Sequence, residues 1–446
     1  MLFVALPGEH TDGHRHLADA VRRGAAALLV TRPVPDTELA ALFAAAPGGC
    51  SIVRVADGLA ALQSLAASWR GRFDPLVVGI TGSIAKTSTK EAVATVLAER
   101  RRVLRSEGNE NNEIGLPLTL LRLERGHEVA VLEMGMYVPG EIAQLAAIAR
   151  PRIGIVTAVR GVHLERAGSI EAIEEGKGQL VEALPRDGTA ILNIDDERVR
   201  RMDRRTRARV LTYGFGEGAD VTARSVTSLG LEGMRFRLRL PGEALRPVRL
   251  PVLGRHGVHN GLAAAAAGVA CGLDADGIVA GLERGWQAPH RDALRRVGPW
   301  LVLDDTYNAG PDSMAAALDL LATLPGRRVA VLGEMLELGP EAPALHRAVG
   351  IRAARSADLL VAIGEGGAPI ADGALAAGMP AGGVLRVPDL EVSLATLLAR
   401  LEPGDVVLFK ASRGLGMDPR IRSARGLGLD DLVAALERAA GMGGAA

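Results

Sequence analysis

The 446-residue chain is poor in aromatic side chains, at 3%, and holds two cysteines, Cys50 and Cys271, in unrelated segments. Two such cysteines build no disulfide framework, so apolar burial has to hold the fold, and a reducing compartment suits them. Net charge is also missing: 52 basic residues face 52 acidic ones, which gives no support for a polyanion partner. The Ala-rich run from Gly261 to Leu273 is too short to span a bilayer. The expectation is a cytoplasmic, monomeric protein with no nucleic-acid partner and no membrane insertion.

Lysine is the most telling scarcity. Of the 52 basic residues only four are lysine: Lys86, Lys90, Lys177 and Lys410. A compact ammonium fits between phosphates, and a primary amine can lose its proton or be carbamylated, which a guanidinium cannot readily do. Lys90 is expected on a helix surface, as a chance survivor. The other three fall in glycine- or acid-rich motif regions.

What is present suits large cores. Apolar residues make up 48% of the chain, mean hydropathy is +0.18, and the length suggests about three domains. The chain is organised around Leu76 to Glu91. Leu76 to Ile80 predicts a buried parallel strand, a Gly/Ser turn follows, and a helix runs to about Glu99. Such a strand–turn–helix presents turn amides and a helix N-terminus to an anion, with Lys86 as a point charge and Thr87 as a Mg²⁺-binding hydroxyl. The spacing fits T-G-[ST]-x-G-K-[ST], with Thr81, Gly82 and Ser83 matching, Ile84 at the variable position and Ala85 in place of the second glycine.

In chain order, Met1 to Asp74 predicts a small α/β domain: strand Leu2–Leu6, helix Asp12–Gly24, strand Ala26–Val30 and helix Asp57–Trp69. Its first strand is already under way at Met1, so an incomplete N-terminal domain is expected. Residues 75–288 predict a central α/β domain with buried strands over Glu128–Met134, Ile153–Val159 and Thr189–Ile194. Ligands gather beyond the carboxyl ends of such strands. Glu133 and His163 sit there and are sensible cation ligands. The polar run Gly108–Glu113 is either a plain turn or a substrate loop. Alternation over Met234–Leu240 predicts an antiparallel insertion, and Gly254–Asn260 a loop before an Ala-rich helix, with His256 and His259 in polar contacts. Gln287–Arg291 predicts a hinge into a third βαβα domain, 289–446. There Asp304, Asp305 and Asn308, then Glu334, then Lys410 and Arg413 follow three strand ends on one sheet edge, where they are either structural salt bridges or a site facing the phosphate turn across a cleft.

These residues resemble the Mur ligases, ATP-dependent amide-forming enzymes of peptidoglycan synthesis, in the branch that adds D-alanyl-D-alanine. The motifs are Leu2–Leu6 with Asp12–His14, Thr81–Thr87, Gly108–Pro117, Asp304–Met314, Leu332–Gly339 with His346, and Lys410–Gly414, in order along nearly the whole chain. The resemblance implies three domains: an N-terminal UDP-substrate domain, a P-loop-type ATP-binding domain and a Rossmann-like C-terminal domain. It also implies that ATP phosphorylates the terminal carboxylate of UDP-N-acetylmuramoyl-tripeptide, and that the amine of D-alanyl-D-alanine attacks the acyl phosphate. By the same resemblance, Lys86 cradles the phosphates, Thr87 and Glu133 hold a first Mg²⁺, and His163 with a carbamylated Lys177 holds a second. Asn260 and Arg291 touch ATP, while Asp305, Asn308, Lys410 and Arg413 close over the reacting groups. Three departures stand out: Ala85, Gly257 where the family usually has asparagine, and the N-terminal start. A folylpolyglutamate-synthase-type ligase would share the phosphate turn but lack the Asp304–Met314 and Lys410–Gly414 runs. A degenerate, non-catalytic nucleotide-binding relative would have no need of Glu133, His163 and Lys177 together.

Overall fold

The computed structural model describes residues 1–8, 11–44, 49–161, 167–412 and 429–442. The chain opens with three parallel strands, β1 (Leu2–Val4), β2 (Ala27–Val30) and β3 (Ser51–Arg54), in that order. Asp12 accepts a bond from the His14 amide at 2.9 Å and starts a 3₁₀ turn that runs into the helix Leu17–Arg22. The helix Asp36–Ala44 and β3 are absent from the sequence reading. β3 has four residues, none fully buried, so it carries no alternation to detect. The next helix, Gly58–Arg70, is capped by Asp57. Its Ala66 is buried among Leu116, Leu120 and Ile142 of the following layer, which anchors the small sheet to the rest of the chain.

A six-stranded parallel sheet forms the second unit. It comprises β4 (Leu76–Thr81), β5 (Val103–Arg105), β6 (Val129–Glu133), β7 (Ile153–Val156), β8 (Thr189–Asn193) and β9 (Arg209–Tyr213), in the order β5-β6-β4-β7-β8-β9. β4 is central and buried along nearly its whole length, as its Leu-Val-Val-Gly-Ile-Thr run requires of a parallel strand covered on both faces. The predicted antiparallel insertion is β10 (Thr222–Ser228), β11 (Met234–Arg239) and β12 (Arg246–Leu250). In β11, Met234, Phe236 and Leu238 face inward and the three arginines outward. That inner face shares one core with the helix Lys86–Ala98 and the Ala-rich helix.

The Ala-rich helix itself corrects the sequence reading. It spans Gly254–Ala270, so Gly254–Asn260 is its first two turns and not a loop. Two glycines and two histidines argue for a loop by propensity; packing against Lys86–Ala98 overrides them. A Cβ on Gly257 would lie 2.8 Å from Val252 Cγ1, in the segment that leads into this helix.

The third unit is a second six-stranded sheet: β13 (Ala293–Val297), β14 (Trp300–Asp304), β15 (Arg328–Leu332), β16 (Leu359–Ile363), β17 (Val384–Val387) and β18 (Val406–Lys410), in the order β13-β14-β18-β15-β16-β17. β13 pairs antiparallel with β14 through a tight Gly298-Pro299 turn; the others are parallel. With Arg295 and Arg296 at its centre and only Val297 buried, β13 has no apolar run to announce it. Because β14, β18 and β15 are neighbours, the polar runs after all three emerge at one edge. Among the described residues no helix is long and apolar enough to cross a membrane.

Candidate nucleotide and metal site

β4 ends at Thr81 and the helix Lys86–Ala98 begins five residues later. Gly82 has φ +153°, and a Cβ on it would lie 1.8 Å from Thr157 Oγ1, so only glycine fits. Ala85 caps the helix in the left-handed conformation, φ +64°, where a glycine would be unstrained. The turn therefore keeps its shape with alanine, at a local cost of roughly 1–2 kcal/mol.

The hydroxyls of Thr81 and Ser83 serve the loop. Thr81 Oγ1 donates to the Met134 carbonyl at 2.8 Å. Ser83 Oγ donates to the Arg160 carbonyl at 3.0 Å and accepts from its amide at 2.9 Å, and the Ser83 amide donates to Ala158. Thr157 Oγ1 donates to Ile84 O at 2.6 Å. The donors left for an anion are those of the helix start, where the first turn has no intrahelical acceptors. Lys86 Nζ folds back onto Gly82 O at 2.8 Å. Burial lowers its pKa, Glu133 opposes the shift and Arg291 adds to it. Thr87 is buried, with no hydrogen bond of its hydroxyl among the described residues.

Glu133 ends β6, opposite Ile80 of β4, and is 1% exposed. Its Oε1 accepts from Asn111 Nδ2 at 2.8 Å, whereas Oε2 is buried with no partner among the described residues. Lys177 lies on the helix Ile170–Glu182, is 4% exposed, and finds no hydrogen bond or ion pair among the described residues. Burial, then the charge of Lys86, drive its pKa well below the ordinary value. Gly82, Lys86, Tyr137 and Lys177 line one narrow cleft. A buried carboxylate oxygen without a donor and a free hydroxyl beside a phosphate turn suit a divalent cation. His163 and Arg413 lie outside the described residues, and among those described no group of three His, Cys, Asp or Glu side chains forms a ready-made metal cluster.

The second six-stranded sheet presents a different edge. Lys410, 1% exposed at the end of β18, pairs with Asp305 and donates to Asn308 O at 2.9 Å. Burial pushes the Asp305 carboxyl up to about 7, against the pull of Lys410. Asp304 holds His290 at 3.0 Å and Arg295 at 2.9 Å. Ser412 ties Glu334, Leu336 and Ala309 together.

Between the two sheets the hinge is strained. His290 and Asp292 both have positive φ, +56° and +47°, flanking Arg291. The Arg291 guanidinium stacks 4.1 Å over Tyr307, with its Nε buried and unpartnered among the described residues. Asn260 Oδ1 accepts from Thr89 of the phosphate-loop helix at 3.3 Å. Two contacts that the sequence reading lacks join the sheets: His256 Nε2 lies 3.0 Å from Asp292, and Arg160 Nε lies 3.2 Å from Asp312. Neither has a local signal, because their partners are remote in sequence.

Fold and site together define a nucleotide-dependent enzyme of three α/β units, with a phosphate turn in the second and a charged wall on the third. The Mur ligase middle domain matches residues 80–268, and the Mur ligase glutamate ligase domain matches residues 290–413. The UDP-N-acetylmuramoyl-tripeptide–D-alanyl-D-alanine ligase of Mycobacterium tuberculosis is 39% identical over 93% of this chain and 88% of that protein. MurF from Acinetobacter baumannii superposes with TM-score 0.83 at 29% identity, over 98% of this chain and 90% of that one. The MurF ligase from Thermotoga maritima in complex with ADP gives 0.80 at 28%, over 99% and 95%. The chain belongs to the Mur ligase family, in its D-alanyl-D-alanine-adding branch.

Proposed function

We propose that this chain joins D-alanyl-D-alanine to UDP-N-acetylmuramoyl-tripeptide with cleavage of ATP to ADP and phosphate. The observation that carries the reading is the phosphate turn of β4 beside the unpartnered Oε2 of Glu133 and the buried Lys177. Likeness to ligases of this branch over nine-tenths of the chain favours it over the folylpolyglutamate and non-catalytic alternatives. The working division is an N-terminal UDP-substrate domain, 1–74, an ATP-binding domain, 75–288, and a C-terminal domain, 289–446.

In this reading, the start of the helix Lys86–Ala98 and Lys86 hold the ATP phosphates, with Asn260 and Arg291 on the rest of the nucleotide. Thr87 and Glu133 hold one Mg²⁺; Lys177 as its carbamate, with His163, holds the second. Bound Mg²⁺ supplies charge neutralisation on the phosphate oxygens and keeps the reactants in line. The neutral Lys177 amine attacks CO₂, a C–N bond forms, a proton leaves to water, and the product is an anionic carboxylate-like ligand. Asp305, Asn308, Lys410 and Arg413 face the acyl phosphate from the third domain, where the dipeptide amine attacks and phosphate departs.

The test is phosphate release from ATP with each substrate omitted in turn. Release is expected only with both present; release that ignores the dipeptide would sink the branch assignment. For the carbamate, Lys177→Arg should lower turnover roughly 100-fold or more despite keeping the charge.

A further inference from the structure

The expectation that Lys90 lies on a helix surface is wrong. Lys90 is 0% exposed, one helical turn beyond Lys86 and beneath the loop that follows β5. Its ammonium donates to Ser106 O at 2.7 Å, lies 2.9 Å from Glu91 Oε1 and reaches toward Gly108 O at 3.5 Å. Three acceptors arranged around a tetrahedral ammonium suit lysine; a planar guanidinium on the same helix position could not point at all three. This gives a chemical reason for one of four lysines in an arginine-using chain.

The segment that Lys90 holds is tied to Glu133 at both ends. Ser106 Oγ accepts from the Glu133 amide at 3.2 Å. Five residues on, Asn111 accepts from the Gly135 amide at 2.7 Å through its carbonyl, and its side chain fixes Glu133 Oε1 at 2.8 Å. Gly108, with φ +49°, turns the loop between these anchors. One buried ammonium therefore links the helix that starts at the phosphate turn to the loop that orients the β6 carboxylate.

We propose that Lys90 is a positioning residue for the metal site: it sets the Ser106–Asn111 loop, which aims the free Oε2 of Glu133 at the cation held beside the ATP phosphates. This rests on the reading of Glu133 as a metal ligand. The polar run Gly108–Glu113, left open between turn and substrate loop by sequence, becomes the support of the metal carboxylate. Its Glu110 and Asn112 turn away from the site: Glu110 binds Thr119 and Arg122, and Asn112 caps the helix Gly115–Leu120.

The experiment measures Mn²⁺ affinity by electron paramagnetic resonance in the presence of a non-hydrolysable ATP analogue. Affinity of the same analogue without metal, and the melting temperature, are read in parallel. Lys90→Met and Lys90→Arg are expected to weaken Mn²⁺ binding about 10-fold or more, with metal-free analogue affinity within about two-fold of wild type. Asn111→Ala, a milder change in the same chain of contacts, should weaken Mn²⁺ binding similarly, and the Lys90→Met/Asn111→Ala double variant should lose less than the two losses combined. Unchanged Mn²⁺ affinity in a folded Lys90 variant overturns the proposal. So does full additivity in the double variant, or, if the Lys90 variants fail to fold, unchanged Mn²⁺ affinity in Asn111→Ala. Glu133→Gln is the control: if it binds Mn²⁺ as well as wild type, the metal-ligand reading itself falls. If it alone loses the metal, only the role of Lys90 falls.

Discussion

The carboxyl edges of the two six-stranded sheets are built in opposite ways. At the β4/β6 edge the polar groups are left wanting: Glu133 Oε2 is buried and unpartnered, and Thr87 and Lys177 find no bond among the described residues. At the β14/β18/β15 edge they satisfy one another: Lys410 with Asp305 and Asn308, Asp304 with His290 and Arg295, Ser412 with Ala309 and Leu336. An unmet buried polar atom costs roughly 1–3 kcal/mol, so the first edge gives up stability that the second keeps; in the proposed reading that is the cost of a site open to phosphates and a cation. The second edge is a preformed wall whose shape does not wait for a ligand. Activity and stability should therefore respond differently to substitutions at the two edges.

The largest stability effect belongs to the second six-stranded sheet. Lys410→Met leaves Asp305 buried without its counter-charge and should cost about 3–5 kcal/mol in denaturant unfolding. Adding Asp305→Leu should recover much of that loss, and a single-variant cost below about 1 kcal/mol would break the contrast. Glu133→Gln comes next, with the opposite signature. Turnover should fall roughly 100-fold while the melting temperature stays level or rises, because a buried, half-paired carboxylate has been removed. A melting loss matching that of Lys410→Met would make the two edges alike.

The clasp between the sheets gives a smaller, pH-dependent effect. Burial pulls the His256 imidazole down, but Asp292 outweighs it and the pKa is raised. Asp292, despite burial, is held at about 2 by His256. A raised histidine contributes its stability in full below the unfolded value of about 6.5 and loses it as pH rises through the folded value. The melting difference between wild type and His256→Gln should accordingly shrink as pH rises from about 6.5 through the raised folded value. Ala85→Gly should have the smallest effect: about 1 kcal/mol or less in stability, since relief at φ +64° is offset by a freer unfolded chain. Analogue affinity should stay equal or tighten, and clear weakening in a titration would show that the turn has adapted around the alanine methyl.

The parts of the molecule legible in sequence were those with local chemistry. The turn after β4, Glu133 and Lys177, the hinge near Arg291 and the runs after β14, β15 and β18 each sit where a short apolar strand gives way to glycine and charge. Elements without such marks stayed hidden: β3, the three residues of β5, and the arginine-bearing β13 are short edge pieces held by neighbours rather than by their own pattern. Lys90 was misread for a related reason. Its helix is buried on nearly every side, with the β5 loop over one face and Gly254–Ala270 over another, so no exposed stripe distinguishes surface from core.

By itself the sequence determined the α/β architecture, the phosphate turn and the family, because strand burial, turn chemistry and motif spacing are properties of contiguous residues. Only the tertiary structure decided which charged groups meet. It joined Lys90 to the loop that aims Glu133, paired Lys410 with Asp305 more than one hundred residues away, and set His256 against Asp292. The energy of a buried charge depends on the partner that the fold brings to it, and that partner is invisible along the chain.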